Sequence, residues 1–338
     1  MQGLLIGIAN AITGMRRGGV SPAATIFAAY KARVIADGGV VENDVCAIAF
    51  LESIGAAPAP PVTFLTWGTA TLKNWGSASG VVWGGGAPPA FDADYQSVLD
   101  YGTAQGYTLP SGGQQTLQND LVVALKAAGV WSKLDTFGVW ATDGNSDFAL
   151  IDWIRLTDYT AINSPLFTTN VGFKGDGLSS YVNSNYNPAV DGINLTLDNV
   201  SFGYYQAVAR TSANGAENAW GIGTSTGIWI RPLAPPRVYI NNSAAGNLPA
   251  TSLNFNANQL VSANRPDNST LNVYSDGVLI NTDSTKFSSY LNTYDFLAFK
   301  STTTVYTDLT LSMVYAGGDL TAEAAAFYNA WNTYRTSI

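Results

Sequence analysis

The sequence predicts a mainly β protein with a helical N-terminal part and a C-terminal antiparallel β-sandwich. Three observations predict the sandwich. The dipeptide Asp276-Gly277 lies between two alternating runs, as expected of a β-hairpin. Four more alternating segments, LTLDNVSFGYYQAVA, IGTSTGIWI, PRVYIN and DLTLSMVYA, are separated by turn residues. An amphipathic segment after the last of them predicts a closing helix. We therefore expect short antiparallel strands packed as two sheets.

The hairpin Leu271 to Asn281 is the clearest local signal. An Asp-Gly pair favours a two-residue type I′ turn, because that turn needs positive φ at both positions. The turn predicts Val273 opposite Ile280 and Tyr274 opposite Leu279. Side chains alternate along a strand, so each face of the hairpin is predicted. The expected core face comprises Leu271, Val273, Val278 and Ile280, and the other face comprises Asn272, Tyr274, Leu279 and Asn281.

The C-terminal segment GGDLTAEAAAFYNAWNTY predicts a helix that packs against the sandwich. Thr321 is the expected N-cap, and Glu323 is favourable in the first turn. Its apolar stripe comprises Ala324, Phe327, Tyr328, Trp331 and Tyr334.

The order of these features resembles the laminin-G-like, concanavalin-A-like jelly roll. The matching stretches are GFKGDGLSSYV from Gly172, the VYSDGVLI hairpin, and LTLSMVYAGGDLTAEAAAFYNAW from Leu309. The resemblance covers about half of the chain. It implies the fold more than the function, because the family contains lectins, glycan hydrolases, adhesion modules and structural domains.

Two further segments resemble parts of bacteriophage structural proteins. Tyr30 to Leu51 is similar to the amino-terminal parts of tail and fibre proteins, although a generic helical hairpin explains it equally well. Val130 to Ile154 is similar to segments that precede laminin-G-like domains in phage proteins. The resemblance implies a domain order, which we predict as a helical virion-attachment segment (1–55), a Pro/Ala linker (56–62), a mixed spacer with a helix pair (63–165) and the jelly roll (166–338).

Capping residues predict where the two spacer helices begin. Asp92 precedes a helix expected to run to about Tyr101. Ser111 precedes a stronger helix, with Gln114 in the capping-box position and Gly129 at its end.

Composition and charge limit the partners. The net charge is −8, and no basic cluster larger than Arg16-Arg17 occurs, which argues against nucleic acid and anionic membranes. Only 12% of residues are charged, so the surface must rely on Asn, Ser, Thr and Gly. The apolar run near Met1 lacks a preceding basic segment and is too short to span a bilayer. These observations favour a virion protein over an exported one.

The chain contains no histidine, which removes histidine-based catalysis and the commonest metal ligand. No two of the four glutamates lie within four positions of each other, so no glycosidase-type pair of glutamates is evident. Asp143 and Asp147 lie in a loop that could hold calcium, but an Asx turn is the stronger interpretation. We therefore predict no enzyme activity, cofactor or metal.

Three aromatic residues, Trp220, Trp229 and Tyr239, are the predicted carbohydrate-binding positions, because aromatic faces on a sandwich can stack on sugar rings. Trp229 lies between Ile228 and Ile230, so it faces outward if the isoleucines face the core. The alternative is that Trp229 packs against a neighbouring loop or subunit.

The predicted function is that of a non-enzymatic phage virion protein, anchored by its N-terminal part and displaying a jelly roll for glycan or host-surface adhesion. The alternative is a soluble lectin or glycan-active enzyme on the same fold. The expected partners are other virion proteins, sister copies in a homo-oligomer, with a trimer favoured, and a cell-surface glycan.

Overall fold

The structure is a computed structural model, and it describes residues 91–209, 218–222, 228–231, 237–241, 248–249, 257–301 and 305–338. All of them belong to one compact unit, Ala90–Ile338. The predicted attachment segment 1–55, the linker 56–62 and the first part of the spacer lie outside the described residues.

The first sheet contains ten strands within the described part of the chain. In chain order they are β1 (Leu134–Val139), β2 (Ile151–Asp152), β3 (Thr157–Asp158), β5 (Leu166–Thr168), β6 (Gly172–Lys174), β8 (Val200–Gln206), β13 (Gln259–Arg265), β14 (Leu271–Ser275), β15 (Val278–Asp283) and β17 (Thr310–Gly317). Eight of them lie in the spatial order β15-β14-β13-β8-β17-β1-β2-β3, and β6 joins β17 to β5.

The second sheet contains seven strands in the described residues. They are β4 (Thr160–Ile162), β7 (Tyr181–Asn183), β9 (Trp220–Gly221), β10 (Ile228–Arg231), β11 (Arg237–Ile240), β12 (Leu248–Pro249) and β16 (Leu297–Ala298). Their spatial order is β12-β11-β10-β9-β16-β7-β4. Strand pairing is antiparallel in both sheets, for example between β8 and β17 and between β10 and β11.

A core of buried aromatic and aliphatic side chains lies between the two sheets. Phe202 and Val314 enter it from the first sheet, and Ile228 and Ile230 enter it from the second. The predicted antiparallel β-sandwich is confirmed.

Five helices accompany the sheets within the described residues: α1 (Ala93–Gln105), α2 (Gly112–Ala127), α3 (Ser146–Ala149), α4 (Pro188–Asp191) and α5 (Ala324–Ser337). A second core lies between α1, α2, α5 and the other face of the first sheet. Leu121 of α2 and Trp331 of α5 meet Phe137 of β1 and Met313 of β17 in this core. Helices therefore cover that face of the sheet.

The predicted starts of α1 and α2 are confirmed. The Asp92 side chain accepts a hydrogen bond from the Asp94 N–H, and the Ser111 side chain accepts one from the Gln114 N–H. Helix α1 continues past Tyr101 and ends at Gln105. The reciprocal half of the capping box is absent at α2, because the Gln114 amide oxygen accepts from the Asp143 N–H instead.

The predicted cap of the closing helix is wrong. Helix α5 begins at Ala324, after a turn, and Glu323 occupies the N-cap position without a side-chain capping bond. The Thr321 hydroxyl donates to the Asp319 carboxylate at 2.6 Å, which fixes the preceding turn. The predicted packing is confirmed, since the helix buries Ala324, Phe327, Trp331 and Tyr334.

The hairpin has the predicted type of turn but a different register. Asp276 has a φ of 51° and Gly277 a φ of 73°, as a type I′ turn requires. Tyr274 pairs with Leu279 as predicted, but a bulge then places Val273 opposite Asn281. The extra residue on β15 breaks the alternation. Val278, expected in the core, is 65% exposed, whereas Ile280 packs against the core.

Strand β1 lies within residues 134–139, a range predicted as spacer, yet it is an interior strand of the first sheet between β17 and β2. The sandwich therefore begins about thirty residues before the sequence-based start at 166.

Candidate functional site

Trp220 is part of the core, and the prediction that it binds carbohydrate is wrong. The residue is 0% exposed, and its indole N–H donates to the Tyr315 carbonyl at 2.8 Å. Its ring packs near Phe296 and Tyr159. No face of this ring is open to a sugar, because a buried indole fills the space between the two sheets.

Trp229 and Tyr239 form a parallel stack on the outer side of the second sheet. Their ring centroids are 4.5 Å apart with an interplanar angle of 1°. They are directly opposed on β10 and β11, and Ile228 and Ile230 face the core as predicted. Because side chains alternate along a strand, Trp229 points away from the core between the sheets.

Gly221 is the strand neighbour of Trp229 and has a φ of +133°. A Cβ atom at this position would lie 2.0 Å from the Ile228 carbonyl oxygen. Glycine is therefore required for the close pairing of β9 with β10.

The stack is largely covered, since Trp229 is 8% exposed and Tyr239 is 6% exposed. This burial favours the alternative that Trp229 packs against other parts of the protein. A sugar-binding role for the two residues stays a prediction.

A different set of aromatic rings is exposed, on the segment that joins β15 in the first sheet to β16 in the second. We call residues 286–295 the crossing segment. Phe287 is 63% exposed, Tyr290 is 47% exposed and Tyr294 is 58% exposed. Leu291 and Asn292 between them are turned inward, with Leu291 packed against the core. The segment therefore directs its rings to solvent, while Leu291 and Asn292 face the sandwich.

Backbone hydrogen bonds anchor the first half of the crossing segment. The Lys286 N–H donates to the Ser269 carbonyl at 3.1 Å, and the Ser288 N–H donates to the Asn268 carbonyl at 2.8 Å. The Ser289 N–H donates to Asn241.

The second half is anchored by two asparagine side chains. Asn187 donates to the Thr293 carbonyl at 2.6 Å, and Asn183 donates to the Asp295 carboxylate at 3.0 Å. The exposed rings thus stand on a backbone that is bonded at both ends.

A buried arginine organises the loops that hold the segment. The Arg265 guanidinium is 0% exposed and donates to the Ile240 carbonyl at 2.7 and 3.0 Å and to the Asp267 carbonyl at 3.3 Å. Burial lowers the pKa of Arg265, and the nearby Asp198 and Asp267 raise it. The arginine therefore ties the end of β11 to the turn at 267–270.

Asp267 shapes that turn. Its carboxylate accepts from the N–H groups of Ser269 and Thr270, both at 2.8 Å. These hydrogen bonds to the ionised form lower the pKa of Asp267 to about 2. Because the carbonyls of Asn268 and Ser269 receive the crossing segment, Asp267 positions the segment indirectly.

Lys300 forms a second partly exposed feature, beside β7 and just after β16. Its Nζ lies 4.0 Å from the centroid of the Tyr181 ring and 5.5 Å from that of Tyr306. The preceding residue, Phe299, has a φ of 68°, which is uncommon for a bulky side chain, and its ring stays in the core. This backbone conformation turns Lys300 outward onto the tyrosines.

Several carboxylates are engaged in structural roles. Asp152 is 0% exposed and accepts from Thr136, from the Phe137 and Ile154 N–H groups and from Arg155. Asp135 is 3% exposed and accepts from Tyr186 and three consecutive N–H groups at 193–195. Buried carboxylates need such donors, because an unpaired charge is costly in the interior.

The Asp143–Asp147 loop is fixed by a helix cap and a long-range bond rather than by the Asx turn predicted for its two aspartates. The Asn145 side chain accepts from the Phe148 N–H at 3.0 Å and caps α3, while the Asp143 carboxylate accepts from the Ser111 N–H at 2.9 Å. Within the described ranges no group of three or more acidic or cysteine residues is placed to hold a metal ion. None of the helices described here is both long and apolar enough to cross a membrane.

Comparison with known proteins gives a likeness of fold only. No family model matches the sequence, and no curated protein matches it either. Among solved structures, a sialidase from Trypanosoma rangeli is 13% identical with a TM-score of 0.45, over 66% of this chain and 40% of that one. The chain therefore spans about two fifths of the sialidase.

Two other solved structures have similar scores. A receptor binding domain is 12% identical with a TM-score of 0.43, over 60% of this chain and 52% of that one. Domain 4 of a GH43 extracellular arabinanase from Geobacillus stearothermophilus, in complex with arabinotriose, is 12% identical with a TM-score of 0.38, over 58% and 98%. Scores of this size carry no argument about activity or ligand.

Sequence reasoning missed the crossing segment because its rings recur at helical spacing, three and four residues apart, in a segment that contains no helix. A signal was nevertheless present. Phe287, Tyr290 and Tyr294 lie in KFSSYLNTYDF, where aromatic residues alternate with Ser, Asn and Thr between two strands. Loops on a rigid scaffold often carry binding residues, so aromatic rings in a polar loop are a functional signal.

Proposed function

We propose that the described sandwich is a non-enzymatic adhesion module that binds a glycan on a cell surface. The observation that carries the proposal is the row of exposed aromatic rings on the anchored crossing segment. Exposed aromatic groups rimmed by polar residues are typical of interaction sites. Ser288, Ser289 and Thr293 supply a polar rim of this kind.

The absence of catalysis in this proposal rests on the roles of the carboxylates. A glycosidase of the usual kind needs two carboxylates across an open cleft. Asp135 and Asp152 are buried and fully engaged by donors, and Asp176, Asp267 and Asp283 accept bonds within local turns. One face of the first sheet is covered by helices α1, α2 and α5.

The test of adhesion without catalysis is a glycan array combined with a turnover assay on each glycan that binds. Binding without release of shorter products is the expected result. Binding of no glycan would count against adhesion, and release of products would count against the non-enzymatic role.

The alternative is a soluble lectin or glycan-active enzyme, and one cluster favours the enzyme. The Asp158 carboxylate accepts hydrogen bonds from the hydroxyls of Tyr101 at 3.2 Å and Tyr107 at 2.8 Å. Burial and the nearby carboxylate raise the pKa of both tyrosines. If a polysaccharide is cleaved and Asp158→Asn abolishes cleavage without loss of folding, the enzyme is the correct reading.

We also propose that the full chain is a phage virion protein, attached through residues 1–55 and assembled as a homo-oligomer, with a trimer favoured. The support is the sequence resemblance and the weakly charged polar composition. Electron microscopy of virions labelled with antibody against residues 171–338 is the test. Labelled particles are expected, and unlabelled particles without copurification would contradict the proposal.

A further inference from the structure

We propose that the crossing segment binds a neutral polysaccharide chain, with Phe287, Tyr290 and Tyr294 as successive stacking positions. This inference rests on the proposed adhesion function and names its site and its class of ligand. These three rings are distinct from Trp220, Trp229 and Tyr239, the positions predicted from the sequence.

The three rings are exposed to solvent on a backbone that is fixed by hydrogen bonds. Each ring leaves about half or more of its surface in water. Exposing apolar area is unfavourable by roughly 25 cal/mol per Å². The bonds of Lys286, Ser288 and Ser289 fix the backbone beside Phe287 and Tyr290, and the Asn187 bond to the Thr293 carbonyl fixes it beside Tyr294. A ligand that covers the rings would bind without first having to order the loop, which favours affinity.

The spacing of the rings also bears on the ligand. Phe287 and Tyr290 are three residues apart, and Tyr290 and Tyr294 are four apart. A chain reaches at most about 11 Å in three residues and about 14 Å in four. The rings therefore follow one another along one short stretch of chain, with the polar residues Ser288, Ser289 and Thr293 between them. This arrangement fits a linear polymer of repeating rings better than one compact apolar group.

The charged groups on and beside the crossing segment favour a neutral polymer. The cation on the segment, Lys286, is paired with Asp283 at 3.5 Å. Asp198 accepts from Ser288, and Asp295 accepts from Asn183, so carboxylates lie at both ends of the segment. Acidic polysaccharides and nucleic acids would be repelled by them. Hydroxyl groups can donate to such carboxylates and accept from Ser and Asn.

A protein partner is the less favoured occupant of the segment. A stable protein interface usually needs a contiguous patch of about 800 Å² on each side, with a packed apolar centre. Three rings separated by small polar side chains do not form such a centre.

The experiment is affinity electrophoresis of the full chain in gels containing dextran, laminarin, mannan or xylan, with polygalacturonate as the acidic comparison. We expect at least one neutral polysaccharide to retard the protein and polygalacturonate not to. Phe287→Ala, Tyr290→Ala and Tyr294→Ala should each weaken the interaction by roughly threefold to tenfold, as the loss of one aromatic contact predicts. Tyr290→Phe should retain binding, because stacking needs the ring and not the hydroxyl.

Matched controls come from exposed apolar residues outside the segment. Leu178 is 80% exposed and Val190 is 77% exposed, so Leu178→Ala and Val190→Ala should leave retardation unchanged. Thermal unfolding of each variant identifies any loss of folding, and Tyr290→Phe keeps the test valid if an alanine variant is unstable.

Each contrary outcome has a separate meaning. If the variant with all three alanine substitutions binds as tightly as the wild type, the glycan binds elsewhere. That result overturns this inference, while the adhesion function stands. Retardation by polygalacturonate alone overturns the neutral class. Retardation by none of the polymers, together with an empty glycan array, overturns both the inference and the adhesion function.

Discussion

Asp135 connects strand β1 to the segment 186–195 through five donors, one of which is the Asn194 side-chain amide. Its carboxylate accepts from the Tyr186 hydroxyl at 2.9 Å and from the N–H groups of Ile193, Asn194 and Leu195 at 3.1, 2.9 and 2.8 Å. Asp135→Ala would leave these groups without acceptors in a buried site. We expect it to lower the free energy of unfolding by about 3 kcal/mol or more, because each unsatisfied buried donor is costly.

Urea unfolding measures this loss, and Asp120→Ala is the control. Asp120 is exposed on α2, so its removal should change the free energy of unfolding by no more than about 0.5 kcal/mol. Equal effects of the two substitutions would show that the Asp135 network contributes nothing specific.

Asp267 gives the molecule an acid-sensitive turn beside the crossing segment. Hydrogen bonds from Ser269 and Thr270 lower its folded-state pKa to about 2, from an ordinary value of 3.8. A lowered pKa means that the ionised group stabilises the folded state above pH 3.8, and that this contribution is lost as the pH falls towards 2. The side chain is exposed, so the effect should be small but measurable.

The corresponding prediction is that Asp267→Asn makes unfolding less dependent on pH between these two values. The thermal midpoint of the wild type should fall more steeply than that of the variant as acid is added. Parallel curves would show that Asp267 titrates alike in the folded and unfolded states. An asparagine still accepts the turn hydrogen bonds, so the substitution tests the charge and preserves the turn.

Some features of the individual elements can be predicted from the sequence, and others cannot. Turn and cap signals are local, so the type I′ turn and the caps at Asp92 and Ser111 follow from a few neighbouring residues. The bulge beside Tyr274 accompanies a tertiary contact, because the hairpin turn lies against α5. This contact cannot be seen in the local sequence pattern. The late start of α5 has a local cause, since the Asp319 carboxylate accepts from the Thr321 hydroxyl two residues later.

The hairpin turn tests that tertiary contact directly. Gly277 and Gly106 have nearly equal φ values, +73° and +76°. A Cβ at Gly277 would lie 2.8 Å from the Ala325 Cα and 2.9 Å from the Ala324 carbonyl, whereas nothing lies within 4 Å at Gly106. Gly106→Ala should therefore cost about 1 kcal/mol of backbone strain, and Gly277→Ala should cost about 1 to 3 kcal/mol more from the clash with α5.

Equilibrium unfolding of Gly106→Ala and Gly277→Ala separates the cost of backbone strain from the cost of the clash with α5. If both lose the same stability, the hairpin does not rest on α5. The comparison isolates the contact with α5, because the two positions share a backbone conformation and differ in their surroundings.

At the scale of the whole molecule, the sequence indicates two packed sheets but not their full extent. Strand β1 reads as part of a spacer because its partner β17 lies far along the chain. The candidate site could not be predicted for the same reason, because its contacts join residues that lie far apart in the chain. The crossing segment is held by Asn241, Asn268 and Asn187, which come from three separate loops. Long-range placement of this kind cannot be inferred from spacing alone.

We expect the sandwich and the helices that cover its first sheet to unfold cooperatively. Trp331 of α5 is 0% exposed, and its ring centroid lies 5.5 Å from those of Tyr205 on β8 and Tyr334 on α5. Trp331→Ala removes a large side chain from the second core, so we expect a loss of about 3 to 5 kcal/mol. Val123→Ala, on an exposed position of α2, should have little effect.

Because β8 and β17 contribute to both cores, loss of the helical contact should weaken the whole sandwich. Far-UV and near-UV circular dichroism should then report one shared thermal transition, shifted to lower temperature in Trp331→Ala. Two separate transitions would instead show that α5 can detach while the sheets stay folded. In that case the face of the first sheet that α5 covers would become accessible without unfolding, and a cleft on that face would have to be reconsidered as a binding surface.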